Sequence, residues 1–329
     1  MNGKDKRPDL SIVIPVYYNA GTLENTMISL KGCVLDAQPG LKAEVIFVDD
    51  GSGDRSFDEL LSIRKSYPDL TRIIKLTRNF GQTNAILAGL DHAIGESVVI
   101  MSADGQDPAE LINEMLKARS EEGFDVVVCA REGRDESVYR IITSRIFYAL
   151  IRKICFPDMP LGGFDYLLLS RRAVGVMRRN REVQPFLQGQ ILWMGFKKKV
   201  IAYRRRKREV GTSKWTFGKK LTYLIDGVMN YSFLPIRLVS LAGLLIALLG
   251  FCYALIVLVA KLLMGNPVKG WAPLMIVVLV LGGFQMLTLG IFGEYVWRIL
   301  AQVQNREPYI VDACYGFEDV ENIRGQAPK

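Results

Sequence analysis

The sequence predicts an α/β protein built on a mostly parallel sheet and followed by two membrane-spanning helices. Three observations predict it. Short apolar runs alternate with helical patterns through roughly the first 200 residues, polar clusters recur where those runs stop, and two later runs carry no charge.

The elements follow in order. Residues 10–18 (LSIVIPVYY) are apolar almost throughout, as a strand covered on both faces is, and residues 22–37 have helical spacing. EVIFV (44–48) is the second strand and stops at Asp49-Asp50-Gly51-Ser52. A short helix over 57–66 leads to a third strand at 72–76, a helix at 82–94 and a fourth strand at 97–101. Residues 108–121 begin with Pro108 and carry acids early, which is how a helix starts. A fifth strand is expected at 125–129 and a helix at 139–156. A basic stretch follows: Lys197-Lys198-Lys199, then Arg204-Arg205-Arg206-Lys207-Arg208. Residues 217–233 set Leu221, Leu224, Ile225, Val228 and Tyr231 at helical spacing, as an amphipathic helix in a membrane interface would.

The uncharged runs are 238–260 and 270–293. Each makes a helix of about 35 Å, against a bilayer core of about 30 Å. The expected organisation is a soluble domain at 1–214, an interfacial helix at 215–234, a transmembrane hairpin at 235–300 and a tail at 301–329. Lys219, Lys220, Arg237, Arg298 and Arg306 flank the hairpin, and only Lys261 and Lys269 lie in its hinge. The bias places the soluble domain and tail in the cytoplasm, at the inner membrane. A polar start, with no signal-peptide pattern, agrees.

The composition narrows the function. A net charge of +8 points to anionic lipid or phosphorylated substrates, and the spans favour these over nucleic acid. Five cysteines with no CxxC pair argue against a disulfide framework or a zinc site. The one histidine, His92, nearly excludes a His-rich metal site or a Ser-His-Asp triad. No GxxxxGK[ST] loop occurs, and no GxGxxG opens the first helix, so ATPase and dinucleotide readings lose support.

In a parallel sheet, ligands bind beyond the carboxyl ends of the strands. Four polar clusters fall there: 17–19, 49–52, Arg78-Asn79 and 102–107. In the last, Asp104, Gln106 and Asp107 offer hard oxygen ligands. A divalent ion on a diphosphate needs only one or two such groups. A capped helix start explains the same residues equally well.

IVIPVYYN (12–19), EVIFVDDGSGD (44–54), RNFGQTNAILAG (78–89), SADGQDPAE (102–110), GGFDYLLLSRRAV (162–174), FLQGQILWMGF (186–196) and RKREVGTSKW (206–215) together resemble glycosyltransferase family 2. Within it they are similar to the polyprenyl-phosphate glycosyltransferases, especially the bacterial undecaprenyl-phosphate glucosyltransferases. The resemblance implies a GT-A (Rossmann-like) catalytic domain, a nucleotide-sugar donor, UDP-glucose by first choice, a polyprenyl-phosphate acceptor and inversion at the sugar carbon. It implies that Pro15, Tyr17 and Asp49 or Asp50 hold base and ribose, and that Asp104 and Gln106 hold Mg²⁺ or Mn²⁺ and the diphosphate. Arg131 is implied at the donor. Arg134, Arg206, Arg208, Ser213 and Lys214 are implied at the acceptor phosphate, and Asp165 near the transferred sugar. A homo-oligomer is expected, because two spans bury little surface.

Two departures stand out. Ser102 replaces the first carboxylate of the usual DAD, and Ala20 follows Asn19 where the family often has Glu. Three other readings remain at this stage: a GDP-mannose-dependent mannose synthase, a processive polysaccharide synthase and an inactive membrane scaffold. The processive class carries QxxRW, whereas Gln190 here is followed by Ile191-Leu192-Trp193.

Overall fold

The computed structural model describes residues 7–131, 148–160, 162–182, 185–205, 225–264 and 270–317. The chain divides into two compact units, one formed by residues 1–224 and 307–329 and the other by Ile225–Arg306.

The first unit is an eight-stranded sheet with helices packed on it. Its elements are β1 (Leu10–Val16), α1 (Leu23–Leu30), β2 (Ala43–Asp49), α2 (Ser56–Ser66), β3 (Thr71–Leu76), α3 (Gln82–His92), β4 (Ser97–Ile100), α4 (Leu111–Ser120), β5 (Val126–Arg131), β6 (Tyr166–Ser170), α5 (Arg171–Arg179), α6 (Leu187–Trp193) and β7 (Lys198–Tyr203), with β8 (Val311–Tyr315) arriving from the far end of the chain. The strand order is β7-β5-β6-β4-β1-β2-β3-β8. Six strands run one way, and β6 and β8 run against them. The sheet is mostly parallel, as the βα alternation predicts.

Residues of β1, β2 and β4 are buried on both faces, so their side chains are apolar in succession rather than alternating. Leu23, Met27 and Leu30 of α1 and Val34 beyond it recur at helical spacing and all are buried in the core. The register matters for the site. Val16 sits opposite Asp49, and Asp49 opposite Lys75, which brings the ends of β1, β2 and β3 into one row.

The structure differs from the expected elements in three places. The helix expected over 22–37 is α1 followed by a π-helical turn at Lys31–Leu35. The helix expected from Pro108 begins at Leu111, because Pro108 belongs to a turn whose carbonyl accepts from the Leu111 amide and the Tyr166 hydroxyl. Within the expected tail, β8 pairs antiparallel with β3 and covers that edge of the sheet.

The second unit holds α7 (Leu234–Met264) and α8 (Trp271–Gln304), with residues 225–231 helical before them. Leu234–Val259 and Leu274–Gln304 are long and apolar enough to cross a membrane, and neither is buried in protein. Where α8 ends, Arg298 pairs with Asp226 and Glu294, both at 2.8 Å, and donates to Asn230 at 3.0 Å.

Candidate active site

The site begins where the parallel strands stop. At the end of β2 the chain turns sharply at Gly51, whose φ is +70° and where a Cβ would lie 2.6 Å from the Arg78 backbone. Only glycine fits there. Asp50 uses both carboxylate oxygens on the loop before α3, accepting from the amides of Phe80 (2.7 Å) and Gly81 (3.0 Å). Burial raises its pKa to about 6 against the pull of those two bonds. Asp49 is fully buried and accepts from the Ser52 amide at 3.3 Å, while its Oδ2 has no hydrogen-bond partner among the described residues. Burial pushes its pKa up too. Of the two acids, Asp49 is the one with an acceptor left over.

The end of β1 is fastened to the β2–α2 loop. The amides of Tyr18 and Asn19 donate to the Ser52 and Ser56 hydroxyls at 3.1 and 2.8 Å, and Tyr18 takes a left-handed φ of 56°. Tyr17 and Tyr18 meet edge to face and stay exposed, just past the half-buried Pro15. Thr22 donates to the Ala103 carbonyl at 2.8 Å, tying this loop to the one after β4.

The loop after β4 gathers the acids. Ser102 Oγ lies 2.7 Å from Asp104 Oδ1 and 2.5 Å from Asp107 Oδ2, and the Ser102 amide donates to Asp107 at 3.0 Å. The Gln106 amide donates to Asp104 Oδ1 at 3.2 Å. From β7, the Tyr203 hydroxyl donates to Asp107 Oδ1 at 2.8 Å. Burial and the Asp107 charge push the Tyr203 phenol well up, which keeps it a donor at neutral pH. Arg205, two residues past the end of β7, reaches Asp104 at 3.5 Å and Asp107 at 3.6 Å.

Asp165 completes the cluster. It enters from the start of β6, which runs antiparallel and so begins at this end of the sheet. Gly162 lets this segment press against β5, since a Cβ there would lie 2.7 Å from the Arg131 carbonyl oxygen. Arg131 forms an ion pair with Asp165 Oδ2, and buried Gln188 of α6 donates to Oδ1 at 3.3 Å. Desolvation would raise the Asp165 pKa, but the charges of Arg131 and Arg205 and the bonds from Arg131 and Gln188 outweigh it and hold the carboxyl below its ordinary range.

The structure thus brings Asp104, Gln106, Arg131 and Asp165 to one end of the sheet, with Pro15, Tyr17, Asp49 and Asp50 at the ends of β1 and β2. Arg134, Arg206, Arg208, Ser213 and Lys214 lie outside the described residues. Sequence reasoning passed over Arg205, Tyr203 and Gln188. Arg205 is hidden inside a run of cations, Arg204-Arg205-Arg206-Lys207-Arg208.

The donors around Asp104 suit a hard divalent cation. Two buried carboxylates and a hydroxyl converge, and the Arg205 guanidinium lies 3.5 Å from one carboxylate and 3.6 Å from the other. Among the described residues, no three His, Cys, Asp or Glu side chains are grouped to hold a metal. Such an ion would take its other ligands from substrate phosphates and water.

The family model for glycosyl transferase family 2 matches residues 11–177. An uncharacterized glycosyltransferase of Bacillus subtilis (strain 168), YkcC, is 38% identical over 317 residues, covering 96% of this chain and 97% of its own. The SfII prophage-derived bactoprenol glucosyl transferase of Shigella flexneri is 34% identical over 271 residues, covering 82% of this chain and 87% of its own. Among solved structures, a mannosyltransferase from Pyrobaculum calidifontis in complex with GDP-Man and Mn²⁺ is similar with a TM-score of 0.49 and 20% identity, over 91% of this chain and 87% of its own.

Proposed function

This chain belongs to glycosyl transferase family 2, and from that membership we propose that it transfers a hexose, glucose by first choice, from a UDP-sugar to a polyprenyl phosphate of the undecaprenyl type, with inversion at the sugar carbon. One observation carries the reading. Asp104, Asp165, Arg131 and Arg205 cluster at the carboxyl end of the sheet, in a chain that matches a bactoprenol glucosyl transferase over 87% of that protein.

The chemistry asks little of a general base. A phosphate monoester is already anionic near neutral pH, so the work lies in aligning two anions at one carbon and neutralising the leaving diphosphate. Asp165 suits a role without proton transfer. Arg131 keeps it ionised and weakly basic, so it stabilises positive charge developing on the sugar ring. Asp104, with Gln106 and Ser102 beside it, would hold Mg²⁺ or Mn²⁺, which when bound supplies positive charge to the departing diphosphate. Tyr17, Pro15 and the spare oxygen of Asp49 would receive base and ribose, while Asp50 shapes the loop that does so. Arg134, Arg206, Arg208, Ser213 and Lys214 would take the acceptor phosphate, close in sequence to the interfacial helix. The lysine and arginine bias around the apolar helices supports an inner-membrane enzyme with its catalytic unit in the cytoplasm. A homo-oligomer is part of the same reading.

The test is transfer of radiolabelled sugar into chloroform-extractable lipid, using full-length protein, undecaprenyl phosphate and a panel of nucleotide sugars. UDP-glucose should label the lipid, and Lys214→Ala should raise the KM for the lipid about ten- to hundredfold. Labelling from GDP-mannose alone would move the reading to a mannose synthase. Transfer from no donor would leave an inactive scaffold.

A further inference from the structure

Arg205 stands beside two carboxylates without hydrogen-bonding to either. Its Nη2 is 3.5 Å from Asp104 and its Nε 3.6 Å from Asp107, and that Nε is buried with no hydrogen-bond partner among the described residues. Elsewhere in the same unit, arginines close on their acids with hydrogen bonds: Arg172 on Asp125 at 2.7 Å and Arg181 on Asp91 at 2.8 Å. Charge-assisted bonds of that kind are short because each side gains from the other's charge. The two acids beside Arg205 also crowd one hydroxyl. Ser102 has one hydroxyl proton, yet its oxygen lies within hydrogen-bonding distance of both Asp104 and Asp107.

We propose that Arg205 is an exchangeable counter-ion: it neutralises the Asp104–Asp107 pair while no divalent cation is bound, and it yields Asp104 when one arrives. The inference rests on the metal assignment made under the proposed function. A doubly charged ion interacts with a carboxylate more strongly than a loosely held guanidinium does, and it repels the guanidinium at the same time. Once displaced, Arg205 offers its five donors to a phosphate oxygen, so one side chain serves the acids first and the substrate afterwards.

The test uses full-length protein in detergent, stripped of metal and free of nucleotide, titrated with Mn²⁺ and followed by electron paramagnetic resonance. Arg205→Gln should bind Mn²⁺ about tenfold more tightly than the parent, because the competing charge is gone. Mn²⁺ should also raise the unfolding temperature of Arg205→Gln by more than it raises that of the parent. Equal or weaker Mn²⁺ binding by Arg205→Gln overturns the proposal, as does an Arg205→Gln chain that stays unfolded whether or not Mn²⁺ is present. Asp104→Asn separates the two readings. If it binds Mn²⁺ as well as the parent does, the metal assignment itself fails. If it loses Mn²⁺ while Arg205→Gln gains nothing, only the exchange fails.

Discussion

The two ends of the sheet each hold a buried acid beside an arginine, and they treat the pair in opposite ways. At the amino end, Glu44 near the start of β2 accepts from the Ser11 hydroxyl and the Ile94 amide and pairs with Arg72 at 2.5 Å, while the Gly95 amide donates to Ser11. Four separate stretches of chain are joined there, and Glu44 has a close cation. At the carboxyl end, Arg205 stands 3.5 Å from Asp104 and 3.6 Å from Asp107. The residue types are nearly the same, so the difference lies in closure. A closed pair fastens the fold, and an open one leaves charge for a substrate to meet.

The strongest way to break this contrast is at the closed end. Glu44→Ala removes one partner of a buried network and should cost about 3–5 kcal/mol of stability. Thermal unfolding in detergent reads the loss, and activity per folded molecule should stay near that of the parent. At the open end the effects should swap. Asp104→Asn should lower sugar transfer about 10²–10³-fold while moving the unfolding temperature little, and EDTA should mimic it until Mg²⁺ or Mn²⁺ is restored. A stability loss as large as that of Glu44→Ala would mean that the open cluster is structural after all.

Asp50 sharpens the comparison because it lies at the functional end yet is closed. Its native pKa of about 6 lies above the value near 4 expected for an unfolded chain. The folded state therefore holds this proton more tightly, so the group's contribution to stability is full below about pH 4 and is lost as pH rises through 6. Across that window the parent should lose stability relative to Asp50→Asn by about 1 kcal/mol per pH unit, read from unfolding temperatures at stepped pH. A flat difference would mean that Asp50 is ionised throughout.

These contrasts also mark what the sequence could and could not reveal. The parallel strands were legible because β1, β2 and β4 are apolar without a break and stop at polar clusters in phase. The direction of β6 was not, since YLLLS reads the same whichever way its neighbours run. β8 was hidden for a related reason: VDACY is short, follows a long apolar helix, and acquires its partner only from distant sequence. In the site, residue type singled out the acids after β4 and the family resemblance singled out Asp165 and Arg131, and the structure brings them to the same end of the sheet. It could not reveal that both oxygens of Asp50 are taken by backbone amides, nor which cation of Arg204-Arg205-Arg206-Lys207-Arg208 faces the acids. Both facts depend on where a neighbouring loop or strand comes to rest.

The late arrival of β8 has a consequence for how the protein is made. β3 is among the first strands to leave the ribosome, and the strand that covers it is among the last. Between them come both long apolar helices. Until Val311–Tyr315 emerges, β3 presents a row of unpaired amides and carbonyls, a surface on which another nascent chain can pair. A chain arrested or clipped before Tyr309 would also lose the bond from that tyrosine's hydroxyl to Asp91 at 2.5 Å, and with it a second fastening. Completion of the sheet thereby reports that synthesis has passed through both helices, and an open β3 edge gives quality-control proteases a way to recognise chains that have not.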